Sequence, residues 1–131
     1  MKTFLWLTAF IVFGVYLLFG QANNGQRITQ TLTIAAGTPI RLATSVTLAD
    51  RIVIEMKHGG SGLGYVMDGI PNGTTPNITS NNPIELAPAT STAPGGIYAD
   101  SSAIGIDISQ IWIDGANSGD KVIVSYYRRT F

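Results

Sequence analysis

The one histidine of the chain, His58, stands just before Ser61 in His58-Gly59-Gly60-Ser61. A base beside a hydroxyl is the raw material of nucleophilic catalysis. That chemistry needs the base within hydrogen-bond reach of the nucleophile and a third group to orient the base. No spacing in the sequence supplies that third group, so the segment reads as a glycine turn. The overlapping Gly60-Ser61-Gly62-Leu63-Gly64 has the glycine spacing of a phosphate-cradling loop. Such loops aim backbone N–H groups and a following helix N-terminus at the anion. Here a strand-like segment follows, without Gly-Lys-Ser/Thr, and the hairpin-turn reading is preferred. Asp114, Asn117, Ser118 and Asp120 could offer oxygens to Ca²⁺. The alternating ligands, flanking helices and terminal Glu of an EF-hand are missing, and Asp and Asn in glycine-rich turns bond their own backbone. Asn72-Gly73-Thr74 and Asn77-Ile78-Thr79 match the glycosylation acceptor, which matters only in a host with that machinery.

The aromatic and basic residues offer a different chemistry, that of contact. In Ile111-Trp112-Ile113, strand alternation puts Trp112 opposite the two isoleucines. Trp112 is therefore the first candidate for a partner or sugar-stacking surface, with packing under a loop as the alternative. Tyr126, Tyr127, Arg128 and Arg129 complete the candidate interface near the C-terminus, with Tyr98 as a further aromatic. A chain ending on a strand also offers an edge that another subunit could extend.

The composition excludes several classes of function. The chain has 131 residues, no cysteine and a formal net charge of zero. A disulfide framework, a thiolate metal site and a cysteine nucleophile are thereby excluded, and one histidine cannot build a multi-His metal site. No metal, cofactor or catalytic residue is assigned. Zero net charge also argues against a nucleic-acid partner, because gripping phosphates needs a basic face.

The apolar residues are unevenly placed. Residues 1–22 hold 16 apolar side chains and a single charge, Lys2. The uncharged run from Thr3 to Phe19 has 17 residues, close to the ~20 that span a bilayer core. It reads as a membrane anchor built from Phe4, Leu5, Trp6, Leu7, Phe10, Ile11, Val12, Phe13, Val15, Tyr16, Leu17, Leu18 and Phe19, with Trp6 and Tyr16 suited to the headgroup levels. A cleaved secretory signal is the competing reading, since Gly20-Gln21-Ala22 has the small residues of a cleavage site. The run is longer than the ~7–15 residues of a signal core. The expected organisation is an anchor or signal over residues 1–22, a linker over 23–27 and a folded domain over 28–131.

That domain carries the period-2 pattern of strands. Arg27 to Ile34 is rich in Thr and Ile. Ile40, Leu42 and Thr44 alternate after the break at Gly37-Thr38-Pro39. In Arg51 to Lys57 the apolar Ile52, Ile54 and Met56 share one face, and Arg51, Glu55 and Lys57 share the other, which predicts one buried and one wet face. Leu63, Tyr65 and Met67, then Ile84 and Leu86, give two further strands around a loop over 68–82. Ile104, Ile106 and Ile108 predict one apolar face, with a phase change near Ser109-Gln110 before Ile111 and Ile113. Val122, Val124 and Tyr126 close the domain. Seven or eight strands with no long helical pattern predict an all-β fold, a single antiparallel β-sandwich after one apolar N-terminal helix. Jelly-roll and immunoglobulin-like strand orders both fit.

Three segments carry a family resemblance: Gly37-Thr38-Pro39-Ile40-Arg41-Leu42, Ala49-Asp50-Arg51-Ile52-Val53-Ile54-Glu55, and Ile106 through Tyr127 with its Ile111-x-Ile113-x-Gly115 and Gly119-Asp120-x-Val122-x-Val124-x-Tyr126 elements. In order and spacing, residues 27–127 resemble small β-sandwich structural proteins of bacteriophage virions. The resemblance implies a capsid, decoration or spike role, contacts with virion subunits, self-association and no catalytic residues. The apolar N-terminus departs from external decoration proteins. It fits a minor capsid protein held in a virion membrane, with lipid as a further partner. The expectation is a non-enzymatic virion protein. The rival is a secreted or surface-anchored binding module for a carbohydrate or protein ligand, using Trp112 and nearby tyrosines.

Overall fold

A computed structural model describes residues 25–71, 73–78 and 81–129. The expected anchor over 3–19 lies outside the described residues. So do residues 23 and 24 of the linker, Asn72 of the first glycosylation acceptor and Thr79 of the second. Among the described residues no helix is long and apolar enough to cross a membrane.

The described chain is all-β, with eight strands: β1 (Arg27–Thr33), β2 (Ile40–Arg41), β3 (Leu48–Met56), β4 (Gly64–Met67), β5 (Ile84–Leu86), β6 (Ile97–Asp107), β7 (Trp112–Gly115) and β8 (Lys121–Arg128). A single 3-10 turn, Ile108–Gln110, links β6 to β7. The strands form two four-stranded sheets, ordered β1-β8-β3-β6 and β2-β7-β4-β5, and every pairing is antiparallel. The pairing has a simple rule. First goes with last, second with seventh, third with sixth and fourth with fifth, as in a long hairpin rolled over on itself. An immunoglobulin-like order pairs β1 with β2. Here the only sequence neighbours that pair are β4 and β5.

Alternation builds the core. Ile52, Ile54 and Met56 of β3, Val122 and Val124 of β8, and Ile106 of β6 point inward from one sheet. Val66, Leu86 and Ile113 meet them from the other, with Ile34, Leu42, Ile108 and Ile111 at the ends. Each such side chain contributes about 1.5–3 kcal/mol by leaving water, and antiparallel sheets with one wet face need only this one apolar layer.

Two sequence expectations change. Ile104 does not share the buried face of Ile106 and Ile108, since it is 85% exposed whereas they are 8% and 0%. Between Ala49 and Arg51 of β3 the partner jumps from Ile106 to Ser101 of β6, so residues 102–105 bulge out. Gly105, at φ 98°, makes the reversal that ends the bulge. Arg129 pins it from behind, with Nε on Asp50 Oδ1 at 2.6 Å and an NH2 group on the Ala103 carbonyl at 2.6 Å. The second change concerns the last strand. β8 lies between β1 and β3 and is no free edge. The edges are β1 and the bulged β6 in one sheet, and the two- and three-residue β2 and β5 in the other.

The connections divide between two ends. The entrance end, where the described chain begins at Gly25, carries segments 42–47, 68–71, 81–83 and 108–111 together with Arg128 and Arg129. The far end carries 34–39, 57–63, 87–96 and 116–120. The Arg128 N–H donates to the Gln26 carbonyl at 3.1 Å, which ties together the first and last strands of the described domain.

Candidate functional site

Every side-chain oxygen group of the 114–120 turn caps a neighbouring loop. Asp114, 1% exposed, accepts the Gly37 N–H at 3.1 Å and the Gly115 N–H at 2.7 Å through Oδ1. Ser118 Oγ accepts the Ala36 N–H at 3.0 Å. Asp120 accepts the Ser61 N–H at 3.2 Å and the Gly62 N–H at 2.7 Å. The Asn117 side chain meets Ser61 Oγ at 2.9 Å. The oxygens considered for Ca²⁺ thus divide between two neighbouring loops, 34–39 and 57–63. The glycine turn does cradle an anion, as its spacing allows, and that anion is the chain's own Asp120 carboxylate. Ser61 Oγ is turned to Asn117, and His58 lies exposed in the turn before it.

Trp112 lies on the outer side of the second sheet, opposite the fully buried Ile111 and Ile113, as the alternation predicts. It stands in a row with Arg41 on β2 and Met67 on β4. The Arg41 guanidinium lies 5.9 Å from the ring centroid, and its Nε donates to the Ser109 carbonyl at 2.6 Å. That geometry is a cation–π contact with one donor already used. Met67 is only 1% exposed on this outer side, and the Ile70 N–H donates to the Gln110 carbonyl at 3.1 Å. Ile70 is thereby held against this end of β7. Trp112 is half-buried, and its Nε1 is buried with no partner among the described residues.

The remaining candidates divide between surfaces. Tyr126 points inward and packs on the core. Tyr127 points outward from the first sheet, 40% exposed, and does not share a surface with Trp112. Arg128 is exposed, and Arg129 is held in its ion pair with Asp50. Tyr98 donates its hydroxyl to Asp68 Oδ2 at 3.1 Å. Burial first, then the charges of Asp68 and Asp100 and that hydrogen bond, push the hydroxyl's ionisation far above its ordinary value. Tyr98 therefore remains a donor.

Sequence reasoning missed the row around Tyr127. Strand register sets Arg27, Tyr127, Arg51 and Ser101 side by side across the first sheet. Adjacent strands lie ~4.8 Å apart, so the two arginines flank the tyrosine at about 10 Å from each other. Neither forms an ion pair among the described residues. Between them lies a shallow depression of about 200 Å³, lined also by Val53, Glu55, Ile123 and Ser125. Two guanidinium forks, a serine hydroxyl and a phenol suit an anionic or polyhydroxyl group. The linear sequence holds no signal for this site, because Arg27 and Tyr127 meet only through pairing of the first and last strands.

At the 3-10 turn, burial alone would raise the Asp107 carboxyl. Hydrogen bonds from the Ser109 hydroxyl at 2.7 Å, the Ser109 N–H at 3.0 Å, the Thr47 N–H at 3.2 Å and the Gln110 amide at 3.4 Å outweigh it and hold the group below its ordinary 3.8. A carboxyl lowered by folding adds stability that is complete above its unfolded value and is lost as pH falls through the folded one. Thermal melts taken between about pH 5 and pH 2 are expected to show an acid limb that flattens in Asp107→Asn. An unchanged limb would assign acid sensitivity to other carboxylates.

The chain matches no family model, no curated protein and no solved structure.

Proposed function

We propose that this chain is a non-enzymatic structural protein of a virus particle, held in lipid by residues 3–19. Its sandwich packs against shell subunits or further copies of itself. One observation carries the reading. The rolled pairing, β1 with β8 through β4 with β5, is the strand order of a jelly roll, an eight-stranded architecture of viral capsid domains and of lectins. The edges support it. Strands of two and three residues, and a bulged β6, are poor templates for strand addition, which leaves the seven-residue β1 as the one regular edge. Contacts with neighbours therefore use sheet faces, end loops or the β1 edge. The resemblance of residues 27–127 to phage virion proteins points the same way.

A second reading is favoured by the depression between Arg27 and Arg51. A secreted or surface-anchored binding module would hold an acidic carbohydrate or peptide there. Mass spectrometry of gradient-purified particles from the source of the chain distinguishes the two. The virion reading expects peptides of this chain at fixed stoichiometry to the main shell subunit, including the intact N-terminal peptide. Absence from particles overturns it, and a mature N-terminus at Asn23 overturns the anchor.

A further inference from the structure

We propose that the entrance end of the sandwich is a lipid-contacting face that seats the domain on an anionic membrane. The inference rests on the anchored reading above and deepens it. Three independent features meet at this end. The first is position. Gly25 is where the described chain begins, and from Phe19 to Gly25 an extended backbone reaches at most about 20 Å. An anchor ending at Phe19 therefore holds this end against the headgroups. The second is charge. All five arginines of the chain lie in this half of the sandwich, whereas Lys57 and Lys121 lie at the far end. Arg129 is neutralised by Asp50 and Arg41 is turned to Trp112. Arg27, Arg51 and Arg128 remain without an ion pair among the described residues. The exposed acids of this half, Asp68 and Asp100, sit with Tyr98 beside the β6 edge.

The third feature is apolar. Ile104 projects from the bulge at 85% exposure, and the bulge is rigidly braced by Arg129. Tyr127 stands 40% exposed between Arg27 and Arg51. A basic rim with a projecting isoleucine and a tyrosine matches the layering of a bilayer interface, where aromatic rings and arginines sit at headgroup depth and aliphatic tips go deeper. At its Arg27 and Arg51 end, four residues along β3 from the Glu55 carboxylate, the depression has the donors to take a lipid phosphodiester.

The chain has no cysteine, so a single labelled cysteine reports one position. Full-length Ile104→Cys and Ser91→Cys, the latter at the far end, are labelled with an environment-sensitive fluorophore and reconstituted into phosphatidylglycerol-rich or phosphatidylcholine vesicles. In the anionic vesicles the label at 104 is expected to shift to the blue and to be quenched by nitroxide lipids. It should also be shielded from aqueous iodide, unlike the label at 91. Neutralising Arg27 or Arg128 to Gln is expected to lower the shielded-to-exposed ratio about fivefold each, the effect of one basic residue near an anionic surface. High salt should act in the same direction. Flotation with equal accessibility at 104 and 91 overturns this proposal alone. Failure to float with either vesicle overturns the anchored reading and the proposal with it. Shielding in both vesicle types, unmoved by salt or by the arginine variants, overturns the electrostatic docking.

Discussion

Gly96→Ala is expected to remove about 3 kcal/mol or more from the stability of the domain, and Gly96→Val to prevent folding. Gly96 sits where the chain passes from one sheet to the other. Its N–H donates to the Ala87 carbonyl at 2.8 Å, and its carbonyl accepts the Met56 N–H at 3.2 Å. A Cβ at this position would lie 2.5 Å from the Ala87 nitrogen and 2.7 Å from the Leu86 Cα. Both are backbone atoms, so no rotamer change relieves the overlap. Room for a methyl group requires β5 to move away from β6. That opens the contact over Leu86 and Met56, which are 2% and 3% exposed, and breaks one or both crossing hydrogen bonds. Gly60→Ala is the matched control, because the nearest atoms its Cβ would meet belong to the Asp120 side chain, at 3.3 Å. Urea denaturation of the two variants tests the argument. A Gly96→Ala midpoint equal to that of Gly60→Ala would mean that the sheets do not approach this closely.

The parts of the fold legible in the sequence are those governed by local alternation with one face buried. β3 is the clear case. Ile52, Ile54 and Met56 are fully or nearly buried and Arg51 is exposed, because β3 is an interior strand with a core beneath it. The same logic placed Trp112 opposite Ile111 and Ile113. It failed on β6. Residues 97–103 are exposed or half-exposed throughout, since an edge strand with a bulge has too little burial to impose a period. Only the isoleucines near its end stood out, and Gly105 took Ile104 out of their phase.

The candidate site was legible in its residue types more than in its geometry. The oxygens of the 114–120 turn were evident, but what they bind is backbone N–H from loops far away in sequence. Strand order was open for the same reason. It depends on which distant strands meet, and local pattern carries none of that. The grouping of Arg27, Arg51 and Arg128 at one end follows only from the register that pairs Arg27 with Tyr127 and Ala49 with Arg128.

Asp114→Ala is expected to cost about 2–3 kcal/mol, more than the loss of any other side-chain cap in the 114–120 turn. Its carboxylate is 1% exposed and accepts from Gly37 of the β1–β2 loop as well as from Gly115. Removing it orphans the N–H of the buried Gly115, and an orphaned buried donor costs about 1–3 kcal/mol, while the N–H of the exposed Gly37 exchanges a charge-assisted bond for water. The loss extends along the turn, because the Ile34 N–H donates to the Asp120 carbonyl at 2.8 Å and the Gly119 N–H to the Ile34 carbonyl at 2.9 Å. These bonds lace the β1–β2 loop to the same seven-residue segment. Asp114→Asn separates charge from hydrogen bonding. It keeps an Oδ1 acceptor and removes the cost of burying a charge, but its amide nitrogen takes the place of Oδ2, which has no partner among the described residues. The expected order of melting temperature is therefore wild type, then Asn, then Ala. Asp120→Ala should fall nearer to wild type, since Asp120 is only partly buried and water can take the place of its carboxylate at the N–H of the exposed Ser61 and of the buried Gly62. If Asp120→Ala proved the more damaging, the far end would be held by the glycine turn and not by the buried carboxylate.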